Sequence, residues 1–378
     1  MEPYRGFARI PMKLFEILTL KIYNRTSPNI VRLCVLWAGV SLFAPGADAA
    51  TIQSLTSRIA PALEAGTTKT SSASARARAR AARIRAARAR ASRSSQALAE
   101  AKTPRFRTDD AGNVVPDVRA AAAIIYDPAT GKVLYEENAM DERSIASITK
   151  VMTAIVFLET ATDLNQEVQI VRADTLRAST TYLRTNDRVR VADLLHLLLI
   201  PSDNAAARAL ARISPLGYDG FIARMNQKAD DLGLHHTAYI DPSGLYADNI
   251  SSAYDMARLI SFASEDDRIG PIMRTPEYSF RTVPAASRPG RIVTVRSTNQ
   301  ILRSGEIDVL GGKTGFISKA GYCLATLLKM PSGSSFAVVV LGATSNLGRF
   351  WETRHLMSWL TEHTATIGLA TPAVSTAK

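Results

Sequence analysis

The sequence has few cysteines, and this scarcity excludes two classes of small-domain architecture. Its 378 residues contain only Cys34 and Cys323, so no disulfide framework can form. No Cys/His cluster has the spacing of a zinc site, and we expect neither a metal nor another cofactor. Cys323 lies in the strand-like run "GYCLATLLK", which predicts a buried and unreactive thiol.

The sequence also lacks the patterns of two large enzyme classes. No Gly-x-Ser-x-Gly motif occurs, and none of the five histidines stands in a nucleophile motif, which argues against a Ser-His-Asp hydrolase. The stretch "GGKTG" resembles a phosphate-binding loop, but the glycine that such a loop requires is replaced by Ile307. No helical pattern follows this stretch, so a nucleotide-binding loop is not predicted.

No apolar run near the N-terminus is long enough for a comfortable membrane span. The run Leu33–Ala44 has about 12 residues, whereas a spanning helix needs about 20. It follows a basic segment and precedes Ala47-Asp48-Ala49, a small-x-small cleavage pattern. We therefore predict a signal peptide at residues 1–49 and an exported protein that is periplasmic or associated with the cell wall. An uncleaved N-terminal membrane anchor is the alternative.

Acidic residues are absent from a strongly basic segment at 76–93, which holds eight arginines and accounts for most of the formal charge of +12. We assign residues 50–115 to an Arg/Ala-rich linker, expected to be disordered or loosely helical because the arginines leave no apolar face. The segment at 76–93 is either a solvated spacer or a binding element for an anionic wall polymer or a membrane surface. Nucleic acid is not an expected partner, since no aromatic residues are interleaved for base stacking.

From about residue 118 the pattern becomes globular. Strand-like runs occur near both ends of this region, and amphipathic helical patterns lie between them. The order predicts an α+β fold in which one antiparallel sheet is built from both chain ends and covered by helices. We assign residues 116–366 to this domain and residues 367–378 to a flexible tail.

The stretch "SIASITKVMTA" places Ser147 three residues before Lys150 in a helical pattern. Residues i and i+3 share a helix face, so the hydroxyl and the amine can touch. Serine is a poor nucleophile unless a base takes its proton. Lysine can act as that base when burial and nearby cations lower its pKa from about 10.4 toward neutrality.

Two further motifs follow Ser-x-x-Lys in order. Ser202-Asp203-Asn204 occurs in a predicted loop between helices, and Lys313-Thr314-Gly315 occurs on a predicted strand. This ordered set is typical of penicillin-binding proteins and class A β-lactamases. Together with blocks such as "GLHHTAYIDPSGL", "STNQIL" and "GGKTGFISKAGYCLA", it resembles the D-alanyl-D-alanine carboxypeptidase family, peptidase family S11, in its shorter branch of penicillin-binding protein 7-type endopeptidases.

The resemblance implies a β-lactamase/DD-peptidase-like fold with helices on both faces of the sheet, and a catalytic role for four residues. Ser147 would attack a carbonyl carbon and form an acyl ester, with Lys150 as the base. Ser202 would relay a proton to the leaving amine, and Asn204 would hold a substrate amide. Peptidoglycan stem peptides that end in D-Ala-D-Ala would be the substrate, and β-lactams would be inhibitors.

The resemblance also implies substrate-binding roles for the strand motif. Lys313 would supply a positive field that keeps Lys150 neutral and attracts a carboxylate, which Thr314 would hydrogen-bond. Gly315 would leave the strand bare for a peptide, and the backbone amides of Phe316 and Ser147 would bind the oxyanion. Two positions depart from the family: Asp203 replaces a smaller residue, and Asn186 replaces a glycine but tolerates positive φ.

Three functions remain open beside D-Ala-D-Ala carboxypeptidase. A D,D-endopeptidase that cleaves cross-links would use the same chemistry. A class A-like β-lactamase shares Ser-Asp-Asn, but its deacylating Glu-x-x-Leu-Asn loop is not found between the second and third motifs. A non-enzymatic penicillin-sensing protein would keep the fold but would have no use for Lys150 as a base.

Overall fold

The computed structural model describes residues 70–160, 163–284 and 289–363. The predicted signal peptide at 1–49, the tail at 367–378 and Cys34 lie outside the described residues. The larger of the two structural units of the chain begins at Arg90.

A five-stranded antiparallel sheet organises the larger unit. Its strands are β3 (Ala122–Asp127), β4 (Lys132–Glu137), β11 (Asp308–Ile317), β12 (Gly321–Lys329) and β13 (Ser335–Ala343). Their order in the sheet is β11-β12-β13-β3-β4, so the first strands of the domain pair with the last ones. The expected α+β fold with a sheet from both chain ends is confirmed.

Strand β3 shows why the central strands read as continuous apolar runs. All six of its residues are buried, and successive side chains point to opposite faces of a sheet. Ile124 belongs to the hydrophobic core on one face, and Ile125 belongs to the core on the other. Helix α7 (Ala253–Glu265) packs against β3, β12 and β13 on the first face, and helix α10 (Gly348–His363) packs against β12 and β13 on the second.

The region between β4 and β11 is mainly helical. Its helices are α2 (Thr149–Thr160), α3 (Arg172–Thr175), α4 (Val191–Leu199), α5 (Asn204–Ile213), α6 (Gly217–Asp231), α7, α8 (Gly270–Met273) and α9 (Gln300–Ser304). Short strand pairs join them: β5 (Arg143–Ser144) with β8 (Ile250–Ser251), β6 (Glu167–Gln169) with β7 (Arg188–Arg190), and β9 (Glu277–Arg281) with β10 (Ile292–Arg296). Helix α2 lies at the centre, where ten of its twelve residues are buried.

Of the two states expected for the Arg-rich segment, disordered or loosely helical, the structure describes a helix. The segment forms helix α1 (Thr70–Lys102), because alanine and arginine both have high helix propensity. The seven arginines whose side chains the structure describes there are all exposed: Arg76, Arg78, Arg80, Arg83, Arg85, Arg88 and Arg90. Among the described residues no helix is both long and apolar enough to cross a membrane.

A short hairpin precedes the sheet. It consists of β1 (Phe106–Thr108) and β2 (Val114–Pro116), and the indole Nε1 of Trp359 in α10 donates to the carbonyl of Val114 over 3.0 Å. The hairpin therefore lies against the C-terminal helix, just before the predicted domain boundary at residue 116.

Candidate active site

A short 3-10 helix, Ala146–Ile148, carries Ser147 directly ahead of α2. Ala146 has φ 49°, an uncommon value for a residue other than glycine, and Ser147 is half-buried. Two glycines approach this turn closely. A Cβ on Gly244 would overlap the carbonyl oxygen of Ala146, and a Cβ on Gly315 would lie 2.6 Å from the carbonyl oxygen of Ile145. The turn is therefore held between two backbone segments that leave no room for side chains.

The side chain of Lys150 is completely buried and has three polar partners. Its Nζ lies 2.9 Å from Oγ of Ser147, 2.6 Å from Oδ1 of Asn204 and 2.5 Å from the carbonyl oxygen of Ser243. The contact with Ser147 follows from the i, i+3 spacing that the sequence shows. The structure thus places an amine within hydrogen-bond distance of the hydroxyl that the sequence marks as the nucleophile.

Burial lowers the pKa of Lys150 to about 7, because a charged ammonium is poorly solvated in the interior. The carboxylates of Asp241 and Asp203 favour the charged form and raise this pKa, whereas the guanidinium of Arg208 lowers it. At neutral pH a large fraction of Lys150 is therefore uncharged and able to accept a proton.

The Ser-Asp-Asn motif forms the N-terminus of α5. Asp203 is the N-cap: its carboxylate accepts hydrogen bonds from the backbone N–H of Ala206 at 3.0 Å and of Tyr182 at 2.6 Å, and from Thr181 Oγ1 at 3.0 Å. Burial raises the pKa of this carboxyl group. Asp203 thus fixes the loop at Thr181–Tyr182 against the helix. These hydrogen bonds explain why an aspartate stands at the position where the sequence analysis expected a smaller residue.

Asn204 and Ser202 lie on either side of Asp203. Asn204 is buried, and its Nδ2 donates to the carbonyl of Ala178 at 2.6 Å while its Oδ1 accepts from Lys150. Ser202 is half-buried with φ 68°, and its hydroxyl makes no hydrogen bond to any other residue that the structure describes. Asn186, the other departure, has φ 71°, as its replacement of a glycine predicts.

Strand β11 brings Lys313 into the same interior. Lys313 is buried, and its Nζ donates to the carbonyl of Thr314 over 2.9 Å. Burial lowers the pKa of Lys313 well below its usual range, and the positive charges of Lys150 and Arg349 lower it further. Two buried ammonium groups repel each other, so the charge of Lys150 disfavours protonation of Lys313. For Lys150 itself, burial is the largest cause of the lowered pKa.

The remaining residues of the strand motif differ in exposure. Thr314 is buried, and its Oγ1 lies 2.6 Å from Oγ1 of Thr298. Phe316 is 48% exposed and stacks on the ring of Tyr322, with 4.2 Å between centroids. Gly315 approaches Ile145 so closely that packing alone requires a residue without a side chain here. This requirement adds to the predicted one, that the strand leaves room for a peptide.

Sequence reasoning missed several residues that hold the site together. The carbonyl of Ser243 contacts Lys150, and Asp241 fixes that loop by accepting from the backbone N–H of Ser243 at 2.9 Å and of Gly244 at 3.1 Å. The blocks "DPSGL" and "STNQIL" contain these residues and Thr298, but no chemical motif marks their roles. The two blocks resemble the family, but that resemblance did not assign a role to these residues.

A buried cation from the C-terminal helix was also missed. Nη1 of Arg349 donates to the carbonyls of Gly315 at 2.9 Å and Cys323 at 3.1 Å, and burial lowers the pKa of Arg349 to about 10. This guanidinium therefore joins α10 to β11 and β12. The thiol of Cys323 is buried as predicted, and burial raises its pKa to about 11.

The histidines make their contacts elsewhere. Within the described ranges, the side-chain partner of Ser147 is Lys150, whereas His196 contacts the carbonyl of Ala192 and His355 that of Lys102. In the same part of the chain, no group of three or more His, Cys, Asp or Glu side chains is placed to bind a metal ion. The arrangement supports amine-assisted attack by a serine hydroxyl.

Comparison with known proteins identifies the family. A family profile described as D-alanyl-D-alanine carboxypeptidase, Peptidase S11, matches residues 109–345. The D-alanyl-D-alanine endopeptidase of Escherichia coli is 32% identical over 247 residues, which cover 65% of this chain and 78% of that protein. The carboxypeptidase DacF of Bacillus subtilis is 29% identical over 231 residues, covering 60% and 58%.

A solved structure agrees with this assignment. The crystal structure of the Streptomyces K15 DD-transpeptidase superposes with a TM-score of 0.62 and 30% sequence identity, covering 65% of this chain and 98% of that one. The likeness therefore covers almost the whole of that solved structure.

Proposed function

The chain belongs to the D-alanyl-D-alanine carboxypeptidase family, peptidase family S11, and on this premise we propose that it is a serine-type D-Ala-D-Ala carboxypeptidase acting on peptidoglycan stem peptides. The observation that carries the proposal is the 2.9 Å contact between Ser147 Oγ and a buried amine whose pKa is lowered to about 7. A hydroxyl beside a neutral amine is an activated nucleophile.

In the proposed acylation, Ser147 Oγ attacks the carbonyl carbon of the penultimate D-Ala while its proton passes to Lys150. A tetrahedral oxyanion forms, and the backbone N–H groups of Ser147 and Phe316 stabilise it. As the intermediate collapses, the C–N bond breaks, the acyl group stays on Ser147 as an ester, and the leaving amine takes a proton from Lys150 through Ser202. In deacylation, water attacks the ester carbon while Lys150 accepts a proton from that water. The C–O bond to Ser147 then breaks, Lys150 returns the proton to Oγ of Ser147, and the shortened peptide leaves as a carboxylic acid.

The proposed role of Lys313 is to bind the terminal carboxylate of the substrate together with Thr314. A carboxylate beside Lys313 favours its charged form, because opposite charges stabilise each other strongly where water is excluded. Substrate binding would therefore leave Lys313 as the charged amine and Lys150 as the neutral one. Asn204 would hold a substrate amide while it contacts Lys150.

Release of D-Ala tests this function. The protein beginning at residue 50 is incubated with a soluble peptide ending in D-Ala-D-Ala, and free D-Ala is measured beside the Ser147→Ala variant. We expect release by the first protein alone, and covalent labelling by a fluorescent penicillin that the variant loses. Labelling that persists in Ser147→Ala would contradict the assignment of the nucleophile.

D,D-endopeptidase activity is a second candidate, because the relative from Escherichia coli, of which this chain covers 78%, is named D-alanyl-D-alanine endopeptidase. The two activities differ in whether the leaving amine belongs to a terminal D-Ala or to a cross-linked peptide. Mass analysis of purified cross-linked muropeptides after incubation distinguishes them: the endopeptidase converts dimers to monomers, and the carboxypeptidase shortens pentapeptides only.

A class A-like β-lactamase is a weaker alternative, since the chain lacks the Glu-x-x-Leu-Asn pattern between its second and third motifs. We propose that β-lactams acylate Ser147 and leave slowly. Rapid turnover of nitrocefin would favour the lactamase instead.

Export and attachment complete the proposal. We infer that residues 1–49 direct export to the periplasm or cell wall, where the substrate lies, or remain as a membrane anchor. The exposed arginines of α1 would bind an anionic wall polymer or a membrane surface by charge.

A further inference from the structure

Helix α1 carries positive charge on two opposite sides. Because an α-helix turns by about 100° per residue, three of its arginines lie within about 60° of one another around the axis: Arg76, Arg80 and Arg83. Three more lie within about 80° of one another on the opposite side: Arg78, Arg85 and Arg88. We call these two groups the first and the second basic face. All six side chains are exposed.

The charge of the two faces is not compensated along the helix. Residues 70–99 contain no acidic side chain, so no ion pair can form between neighbouring turns there. Like charges three or four residues apart, as in Arg76 with Arg80 and Arg80 with Arg83, destabilise a helix. A bound anion removes this repulsion, and α1 therefore favours an anionic partner on each of its sides.

The type of the basic residues indicates which anion fits. Every basic residue of α1 before Lys102 is an arginine. A guanidinium binds the oxygens of a phosphate through two parallel hydrogen bonds, whereas an ammonium acts as a point charge. The six arginines of the two faces span about 18 Å, or about one charge per 3 Å. This density suits a polymer that bears a charge on every repeating unit.

A planar membrane surface fits the two faces less well than a flexible polymer. A helix with its side chains is about 10–12 Å across, and the Debye length at physiological salt is about 8 Å. When one face touches lipid headgroups, the other is therefore largely screened from them. Between Arg76 and Arg88 the single large apolar residue is Ile84, so this stretch has no apolar face of the kind that inserts into a membrane.

We propose that α1 binds a flexible linear polymer of phosphate groups along both basic faces at once. The proposal names the partner for the attachment that the proposed function assigns to this helix, and it rests on that assignment. A flexible chain can turn around the helix, contact both faces and release counterions from its phosphates. The helix contains no aromatic residue, so the phosphate groups are recognised rather than any bases that they join.

The test compares two variants that each lose three charges from one face. The first-face variant is Arg76→Gln/Arg80→Gln/Arg83→Gln, and the second-face variant is Arg78→Gln/Arg85→Gln/Arg88→Gln. Glutamine also favours the helix, which circular dichroism checks. The matched control loses three exposed arginines outside α1: Arg172→Gln/Arg274→Gln/Arg303→Gln.

The affinity of each protein for long-chain inorganic polyphosphate is measured over a range of salt concentrations. The slope of log K against log salt should become shallower by about 2 in either face variant, because three phosphate contacts of about 0.7 each are lost. The control should keep the slope of the unmodified protein. A full slope in either face variant would overturn binding along both faces.

Two further probes separate the polymer from other sources of phosphate. They are vesicles of mixed phosphatidylglycerol and phosphatidylcholine, and a single-stranded oligonucleotide, each compared with polyphosphate at equal phosphate concentration. Tighter binding to the vesicles would assign α1 to a membrane, and tighter binding to the oligonucleotide would assign it to nucleic acid; either result would overturn the proposal. Release of D-Ala from a soluble peptide is measured separately. Its absence would refute the proposed enzyme and leave the binding result valid.

Discussion

Nζ of Lys150 donates to Oδ1 of Asn204 over 2.6 Å, and this contact joins helix α2 to helix α5 inside the active site. The orientation of the amide is fixed, because Nδ2 of Asn204 donates to the carbonyl of Ala178. An amide oxygen is an acceptor without a net charge. It therefore orients the amine of Lys150 without the strong rise in pKa that a carboxylate would cause.

The first prediction concerns the pH dependence of acylation. In the proposed mechanism Lys150 accepts the proton of Ser147, which requires a neutral amine, and burial lowers the pKa of Lys150 to about 7. The second-order rate of labelling by fluorescent penicillin should therefore rise with pH through about 7 and then level off. Lys150→Arg should not be labelled at any pH where the fold persists, since arginine stays protonated. The proposed role of Lys150 would be contradicted if the labelling rate of the unmodified protein decreased as the pH was raised from 6 to 8.

The second prediction tests the uncharged amide beside the base. Asn204→Asp places a carboxylate within hydrogen-bond distance of Lys150 and favours the charged amine. The midpoint of the pH profile for acylation should move upward by about 1–3 units. Asn165→Asp, an exposed position distant in sequence, is the control and should leave the midpoint unchanged. A profile that stays in place for Asn204→Asp would show that Lys150 does not control the rate.

The third prediction concerns the close approach of β11 to the nucleophile turn. A Cβ at Gly315 would lie 2.6 Å from the carbonyl oxygen of Ile145, so Gly315→Ala forces the two backbones apart. We expect a loss of about 1–3 kcal/mol in the free energy of unfolding and slower acylation. Gly220→Ala is the matched control, because its Cβ would make an ordinary 3.5 Å contact and alanine favours the helix. Chemical denaturation of both variants gives the comparison.

The fourth prediction concerns the guanidinium that joins α10 to the active-site strand. Arg349→Met removes the donors to the carbonyls of Gly315 and Cys323 and leaves both acceptors buried. The free energy of unfolding should fall by about 1–3 kcal/mol. Arg354→Gln, on the same helix, removes the ion pair with Glu306 together with weaker contacts to Ser304 and the ring of Trp351, and it should cost no more than about 1 kcal/mol. Equal losses in the two variants would show that Arg349 does not secure the strand.

The fifth prediction separates location from chemistry. Helix α1 carries exposed arginines, and the active-site residues named above do not include any of them. Deleting residues 70–95 should leave the turnover of a soluble D-Ala-D-Ala peptide unchanged and should weaken adsorption to isolated cell walls or anionic vesicles. A large loss of turnover on the soluble peptide would assign the helix a catalytic contribution.

Local patterns in the sequence predicted the elements that short-range physics determines. The i, i+3 spacing placed Ser147 against Lys150, and the apolar runs placed the central strands. Ser243 and Arg349 escaped prediction for a different reason: each acts through contacts between segments far apart in the chain. Every residue has a backbone carbonyl, so the residue type at position 243 does not reveal that the carbonyl of Ser243 contacts Lys150. The Arg-rich segment combines high helix propensity with the lack of an apolar face, so its sequence left disorder and a loose helix both open, and it forms the helix Thr70–Lys102.

The burial of Cys323 has a consequence for the motions of the active site. Its thiol lies in β12 directly opposite Gly315 in the strand register, and its raised pKa keeps it in the unreactive protonated form. An alkylating reagent can reach this sulfur only when the sheet opens beside the reacting serine. The rate of alkylation at Cys323 therefore reports how readily β11 and β12 separate beside Ser147.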